Sequence, residues 1–357
     1  MSVTQTFDEQ KARAFAERMI GVFSGACVAL QISIGHQVGL FEVMSALPPS
    51  TSEEIASASG LDERYVREWL GALVTGGVID YDPGARTYSL APEHVPFLTQ
   101  AGGADNMARL MTFVALLAEV EQPVIECFRH GGGVPYSSFP RFQKLMGEDS
   151  AAVHDAHLVS EILPLVDGLV ERLGAGIDVL DVGCGQGHAV NLIAQAFPRS
   201  RVTGYDLSEE GIAAGRAEAQ ALGVTNARHE VRDVTDLGHS EDFDLITAFD
   251  AIHDQAHPRK VLAGIARALR PDGVFLMVDI KASSNLEDNL EIPWAPFLYT
   301  VSTMHCMTVS LAQGGEGLGT VWGRQRAGEL LAEAGFTSVE VKELDGDVFN
   351  YYYIARR

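Results

Sequence analysis

Hydrophobic and polar positions along the second half of the chain alternate between a strand pattern and a helix pattern. Short segments with the length of strands occupy residues 177–182, 201–206, 226–233, 243–249 and 274–280, of which the third has the weaker pattern. The stretches between them that have helical periodicity are 190–197, 208–222 and 258–269. Strands that alternate with helices of this size predict a parallel sheet with crossover helices on both faces. Ligands of such open sheets bind at the carboxyl ends of the strands.

The amino-terminal pattern is different and predicts helices followed by a winged helix. Residues 7–47 have the pattern of two helices, and the second, around 25–44, is apolar on most of its circumference. Such a helix has to be buried, so we expect it to pack against a second subunit, with burial inside one chain as the alternative. Residues 50–88 predict a short helix with Thr51 and Ser52 as cap candidates, a longer helix capped by Asp62 and reaching Leu73, and a hairpin around Pro83.

The charges of the winged-helix segment argue against binding to DNA. Between Glu53 and Glu93 the chain has eight acidic and three basic side chains. A DNA-reading helix needs cations for the phosphates, and these carboxylates would repel them. We therefore expect no nucleic-acid partner. A ligand-responsive regulator that reads DNA through this domain is the alternative from another functional class.

Composition limits the remaining classes of function. The 357 residues include 26 basic and 48 acidic side chains, a net charge of −22, which disfavours nucleic acid and anionic membrane as partners. The four cysteines are widely spaced, without a C-x-x-C pair, so neither a metal site nor a disulfide framework is expected. No signal peptide is recognised, and no run approaches the roughly 18 apolar residues that span a bilayer. We expect a cytoplasmic protein without a membrane partner.

A glycine-rich turn follows the first predicted strand of the sheet. Its glycines are Gly183, Gly185 and Gly187, and Asp181 stands two residues before the first of them. A dinucleotide site requires G-x-G-x-x-G, whereas the third glycine comes one position sooner here. This D-x-G-x-G-x-G pattern resembles motif I of the class I methyltransferases that use S-adenosylmethionine. The alternative is an ordinary tight turn in a nucleotide-binding α/β domain.

The order of the following strands extends this resemblance. Asp206 ends the second strand, where a carboxylate accepts ribose hydroxyls, and Leu207 follows it. Asp233 ends the third strand, with Val234 beside it, and in the resembling family this position lies near the adenine amino group. Phe249 ends the fourth strand and faces the methyl donor in that family. The resemblance implies S-adenosylmethionine as cofactor and a Rossmann-like, seven-stranded α/β sheet whose last strand is antiparallel.

The residues after the fourth strand resemble the L-H-D segment of small-molecule O-methyltransferases, such as those acting on phenylpropanoids. That family has an N-terminal winged helix used for dimerisation and a G-G-x-E-R-T run before its last helix. The resemblance implies His253 as general base and Glu316 as a carboxylate that orients it. Asp250 and Gln255 replace tryptophans of that pattern, and the arginine and threonine after Glu316 are missing. For His253 the alternative is a capping or core histidine.

A second group of motifs resembles a bacterial family of winged-helix methyltransferases whose substrates are largely unassigned. These motifs are H-D-Q-A-H-P, H-C-M-T-V-S-L and G-L-G-T-x-W-G. We therefore expect a methyltransferase that acts on a small, mostly apolar molecule at oxygen. A catalytically silent cofactor-binding subunit is a further alternative.

The connection 281–320 is longer than a simple sheet needs, and such insertions are usually lids or binding elements. Trp294, Tyr299 and His305 in it, together with Tyr136 after a run of three glycines, are our candidate contacts for a planar substrate, with plain core packing as the alternative. The expected division is 1–100 for a helical and winged-helix dimerisation domain, 101–170 for a helical linker near the substrate, and 171–357 for the methyltransferase domain.

Overall fold

The computed structural model describes residues 7–357. It divides into two compact units, the first ending at Ala118 and the second running from Glu119 to Arg357. This boundary does not decide the expected three-part division at residues 100 and 170, which stays a prediction.

The first unit consists of helices and one small hairpin. Its elements are α1 Glu9–Gln37, α2 Leu40–Ala46, α3 Ser52–Ser59, α4 Glu63–Thr75, β1 Asp80–Asp82, β2 Thr87–Ser89, α5 Val95–Leu98, a 3-10 segment Gln100–Asp105, α6 Met107–Leu110 and α7 Thr112–Ala118. The predicted caps of the winged helix are present. Thr51 forms a capping box with Glu54 at the start of α3, and the Asp62 carboxylate accepts a hydrogen bond from the Arg64 N–H at the start of α4.

The end of α1 is fixed to α4 by close packing. The Trp69 indole N–H donates to the Gln31 carbonyl at 2.8 Å, and the Trp69 and Phe41 ring centroids lie 5.4 Å apart. A Cβ at Gly35 would lie 2.5 Å from the Trp69 ring, so the helix approaches this closely only with glycine there.

Most of α1 is exposed although it is apolar. Phe15, Ile20 and Phe23 are 60%, 67% and 72% exposed. The two expected helices are present, but the break lies at Gly39 (φ 72°) and the apolar stretch belongs to the first helix. By length and composition α1 is able to cross a membrane, so the expectation that no segment is apolar enough was wrong for this helix.

The second unit contains the sheet and the helices that cover it. Its elements are α8 Glu121–His130, a 3-10 segment Tyr136–Ser138, α9 Phe142–His157, a π segment Leu158–Ile162, a 3-10 segment Leu163–Leu165, α10 Leu169–Ala175, β3 Asp178–Val182, α11 His188–Ala196, β4 Arg201–Asp206, α12 Glu209–Leu222, β5 Ala227–Val231, β6 Phe243–Phe249, α13 Pro258–Ala268, β7 Leu269–Ile280, a 3-10 segment Leu286–Asn289, α14 Ala295–Val301, a π segment Ser302–Cys306, α15 Met307–Ala312, α16 Gly323–Glu333, β8 Ser338–Lys342 and β9 Asn350–Arg356.

The seven strands form one sheet in the order β5-β4-β3-β6-β7-β9-β8. Strands β3 to β7 pair in parallel, and β9 is antiparallel to both of its neighbours. The predicted Rossmann-like fold with an antiparallel last strand is therefore confirmed. Both faces are covered: Leu180 and Val182 of β3 pack into one apolar cluster and Val179 into the other. A strand buried on both faces explains its nearly continuous apolar sequence.

The insertion 281–320 is largely helical. It contains the Leu286–Asn289 segment, α14, the π segment Ser302–Cys306 and α15, and the chain then turns through the glycines of 314–319. The expectation of a loop was wrong here, because its apolar residues pack at helical spacing, with Leu298, Cys306 and Val309 buried. Its role as a lid stays a prediction.

Candidate functional site

The glycine turn joins β3 to α11 at the carboxyl edge of the sheet. Gly183, Gly185 and Gly187 have φ of 73°, 54° and 70°, a region that residues with a Cβ avoid. The Gly183 N–H donates to the Tyr205 carbonyl at 2.8 Å, and a Cβ at Gly187 would lie 2.4 Å from the His229 ring. A Cβ at Gly185 would meet nothing within 4 Å, so the turn faces open space there.

Asp206 is held beside this turn. One carboxylate oxygen accepts from the Gly185 N–H and the other from the Ser208 N–H, both at 2.8 Å. A carboxylate has about four lone-pair sites, so both oxygens keep acceptor capacity for a ligand. Burial raises the pKa of Asp206, and the backbone donors oppose that rise. The neighbouring Leu207 side chain is 60% exposed.

Asp181 lies deeper in the sheet. Its carboxylate accepts from the Thr247 hydroxyl at 2.7 Å, and the side chain is buried. Burial raises the pKa of Asp181 to about 7; the Thr247 hydrogen bond opposes this rise and the nearby Asp206 charge adds to it. A cationic ligand group would restore the ionised form.

The other predicted cofactor contacts lie at the ends of β5 and β6. Asp233 is exposed and accepts from the Thr235 N–H at 2.9 Å. The Val234 side chain is buried in the core cluster, which leaves its backbone for any ligand contact. The Phe249 ring lies 4.8 Å from the His154 ring, edge to face.

Helix α9 lies along this edge of the second unit. A Cβ at Gly147 would lie 2.6 Å from the Gln186 side chain of the glycine turn. At the other end of α9, Asp155 accepts from His188 at 2.9 Å, and the second ring nitrogen of His188 pairs with Glu218 at 2.6 Å. This helix therefore contacts both the glycine turn and the start of α11.

His253 and Asp279 form a buried imidazole–carboxylate pair. His253 Nδ1 is 2.9 Å from Asp279 Oδ1, and the Trp322 indole N–H donates to the same oxygen at 2.9 Å. An acceptor at Nδ1 fixes the tautomer in which Nδ1 carries the hydrogen and Nε2 is the basic atom. Burial lowers the pKa of His253, but Asp279 and Cys306 outweigh it, so that the pKa lies well above 6.5.

The expected partner of His253, Glu316, is elsewhere. The Glu316 carboxylate accepts from the Arg259 guanidinium at 3.1 Å. The pairing of Glu316 with His253 was therefore wrong, and Asp279 is in that place. The glycine run instead contacts the backbone of the His253 loop, since the Gly319 N–H donates to the His253 carbonyl at 3.2 Å.

Two families match the chain. A Rv2258c-like winged HTH domain matches residues 26–100, and a methyltransferase domain matches residues 173–335. The glycine turn, with Asp206 fixed beside it, lies inside the second match. A winged-helix domain is therefore followed by a methyltransferase domain, the arrangement of the S-adenosylmethionine-dependent methyltransferases with an N-terminal winged helix. S-adenosylmethionine is the cofactor of this chain.

Individual proteins resemble this methyltransferase over different lengths. A phthiotriol/phenolphthiotriol dimycocerosates methyltransferase of Mycobacterium tuberculosis (strain ATCC 25177 / H37Ra) is 28% identical over 111 residues, 31% of this chain and 40% of that protein. The chain thus spans less than half of this relative's length. Two solved structures share the whole fold. The mitomycin 7-O-methyltransferase MmcR is 19% identical with a TM-score of 0.72, covering 98% of this chain and 100% of its own. Human N-acetylserotonin methyltransferase with S-adenosylmethionine is 16% identical with a TM-score of 0.70, covering 100% and 99%.

The predicted substrate contacts of the methyltransferase fall into two groups. Tyr136 and His305 come together, with ring centroids 5.5 Å apart. Trp294 packs on Phe349 at 5.1 Å, and the Tyr299 hydroxyl accepts from the Asn289 amide at 3.1 Å. The structure thus brings Tyr136 and His305 together, whereas Trp294 contacts Phe349 and Tyr299 contacts Asn289.

Sequence reasoning missed Phe139, Phe142 and Asp279. The two phenylalanines surround His305, with ring centroids at 4.6 and 3.4 Å. The dense aromatic stretch 136–142 is a signal that could have found them. Asp279 also left a signal, because an acid inside the apolar run 274–280 is a charge in a buried strand.

The two members of the His253–Asp279 pair and the neighbouring Asp250 could also serve as cation ligands. Asp250, His253 and Asp279 offer ligand atoms that lie within 4.8 Å of one another. Asp250 has a φ of 50°, a strained value for a residue with a side chain. A cation at His253 Nδ1 would have to replace the hydrogen bond to Asp279. The expectation of no metal stays a prediction.

Proposed function

We propose that this methyltransferase transfers the methyl group of S-adenosylmethionine to an oxygen of a small, mostly apolar molecule. The observation that supports this most is the buried His253–Asp279 pair in the loop directly after β6, because a hydroxyl acceptor needs a general base. The names of the two similar structures refer to an O-methyltransferase and to an N-acetylserotonin methyltransferase, which agrees with a small acceptor. The comparisons give no support to the DNA-binding regulator.

The cofactor fits the residues at the carboxyl edge. In our proposal the Asp206 carboxylate accepts the ribose hydroxyls, and Asp233 lies by the adenine. Asp181 compensates the ammonium charge. Burial keeps its carboxyl partly protonated in the free protein, and a bound cation would favour the carboxylate form. The side-chain-free turn at Gly185 allows close approach of a ligand. When bound, S-adenosylmethionine supplies an electrophilic methyl group on a sulfonium.

The protein's own part in the reaction is to hold and move a proton. His253 Nε2 accepts the hydroxyl proton of the acceptor, while Nδ1–H stays donated to Asp279. Asp279 is itself held by Trp322 and by the Ile280 N–H at 2.9 Å. The carboxylate therefore orients the imidazole and stabilises the imidazolium that forms.

A panel of acceptors tests this proposal. Phenols, thiols and amines of similar size are incubated with the enzyme and a donor labelled in its methyl group. We expect label in the phenols and not in the matched amines. Label confined to thiols or amines would contradict transfer to oxygen, because those acceptors do not need this base.

We also propose that α1 mediates a homodimer. Its exposed apolar side chains, among them Phe15, Ile20 and Phe23, are the kind of surface that a second copy would cover. A membrane is the competing occupant, since α1 is long and apolar enough to cross one. A cytoplasmic location stays part of the proposal.

A further inference from the structure

His305 lies in a box of aromatic rings within the second unit. The Phe142 ring stacks on it at 3.4 Å with an interplanar angle of 10°. The rings of Phe139 and Tyr136 meet it edge to face at 4.6 and 5.5 Å. His305 is 0% exposed. The imidazole is thus enclosed by the side chains that precede and begin α9.

Both ring nitrogens of His305 are buried and have no hydrogen-bond partner among residues 7–357. An unsatisfied buried polar group costs about 1–3 kcal/mol. Burial, together with the charge of His253, lowers the pKa of His305 to about 3. The ring is therefore neutral at physiological pH and offers one N–H donor and one acceptor nitrogen.

Aromatic packing alone does not account for a histidine at this position. Phenylalanine would fill a box of three aromatic rings without leaving two polar atoms unpaired. Gly319 links the surroundings of the two imidazoles, because its N–H donates to the His253 carbonyl at 3.2 Å and a Cβ there would lie 3.2 Å from Met307, two residues after His305. An acceptor oriented for proton transfer to His253 would thus have a second part near His305.

We propose that His305 is the specificity-determining residue for a flat aromatic acceptor with a second oxygen function, a hydroxyl or a carbonyl, besides the hydroxyl that is methylated. This inference rests on the proposed methyl transfer. The acceptor ring replaces Phe142 against the imidazole, and its second oxygen pairs with a ring nitrogen. This placement requires Phe142, the first residue of α9, to move away from the imidazole on which it stacks.

Naphthalene probes test this proposal. Each dihydroxynaphthalene isomer is paired with the methylnaphthol in which one hydroxyl is replaced by a methyl group of similar size. Binding is measured by calorimetry with the enzyme saturated with S-adenosylhomocysteine, so that no turnover is needed. We expect at least one dihydroxy isomer to bind roughly tenfold more tightly than its methyl partner, the value of one buried hydrogen bond.

The variant His305→Phe keeps the stacked ring and removes both nitrogens. We expect it to abolish the preference for the second hydroxyl and to raise KM for that isomer more than it lowers kcat. His239→Phe is the matched control, because His239 also stacks on an aromatic ring, Tyr205, and lies outside the box. If His305→Phe fails to fold, His305→Gln replaces it, and the preference should then be partly retained.

The outcomes separate this inference from the proposed function. Absence of a preference in every isomer pair, or a preference that His305→Phe retains, would overturn the role of His305. Failure of every naphthol to bind would overturn the flat aromatic acceptor. Failure to bind S-adenosylhomocysteine, or loss of methyl transfer to all phenols with binding preference intact, would instead contradict the proposed function.

Discussion

The pairing of His253 with Asp279 is the central feature at the scale of single residues. A carboxylate beside an imidazole makes Nε2 more basic and holds the ring in one orientation. The same carboxylate raises the pKa of His253, so that a larger share of the imidazole is protonated near neutral pH. The carboxylate thus makes Nε2 a stronger base but leaves a smaller fraction of the imidazole in the neutral form that accepts a proton.

These two effects of Asp279 predict how kcat/KM depends on pH. Because only neutral His253 accepts a proton, kcat/KM should rise with pH through its raised pKa, which lies above 6.5. Asp279→Asn removes the charge, so the rising limb should move to lower pH while the maximal rate falls. The measurement is kcat/KM against pH for both proteins. An unchanged limb in the variant would show that Asp279 does not set the basicity of His253.

A second residue-scale prediction concerns Asp181. Its pKa is about 7 in the free protein, so at pH 6 the carboxyl is mostly protonated. A bound ammonium favours the carboxylate and should release a proton. Calorimetry of S-adenosylmethionine binding at pH 6, in buffers of different ionisation enthalpy, measures that release. Asp181→Asn should release fewer protons, and equal release by both proteins would contradict the assigned role.

The residues that sequence reasoning found belong to local motifs, whereas the pairing that it missed forms only when distant strands come together. Asp206 and the glycines could be found because one short stretch of chain contains the whole turn. Asp279 could not be paired with His253 in advance, since the two come from different strand ends and meet only when β6 and β7 pair. Glu316 was assigned from a glycine motif that lacks one residue of the family spacing, and its carboxylate meets Arg259 instead.

At the scale of elements, the glycine turn makes the sharpest prediction. Alanine at Gly187 would require a left-handed backbone, at a cost of about 1–2 kcal/mol, and would press on His229. We expect Gly187→Ala to weaken S-adenosylhomocysteine binding roughly tenfold or more. Gly223→Ala is the matched control, with a φ of 68° at the end of α12 and open space around it. Equal affinity in both variants would contradict the placement of the cofactor at this turn.

The sheet could be predicted element by element, because most of its parallel strands are short, largely apolar segments between helical patterns; β5, with the sequence A-R-H-E-V, is the least apolar of them. The helices before the sheet could not. The helical linker expected over 101–170 contains α6 to α9, the start of α10 and several short 3-10 and π segments. The segment before α9 contains Phe139, and Phe142 begins the helix; both pack around His305, a contact distant in sequence that periodicity along the chain does not contain.

At the scale of the whole molecule, the prediction concerns the proposed dimer through α1. Ile20 and Phe23 are one turn apart on the same face and both are exposed. The double variant Ile20→Lys, Phe23→Lys should convert a dimer to a monomer in light scattering, since it would bury two charges in an apolar interface. Val348→Lys, at an exposed position in the second unit, is the control. A monomeric wild type, or a protein recovered with membranes, would contradict the dimer.

The account depends most on His253 as the base for an oxygen acceptor. Its most direct test is methyl transfer from labelled donor to a phenol, measured for the wild type, His253→Ala and the control His257→Ala. We predict a loss of at least roughly a hundredfold in kcat for His253→Ala, with S-adenosylhomocysteine affinity unchanged and His257→Ala active. Transfer by His253→Ala at the wild-type rate would contradict the account.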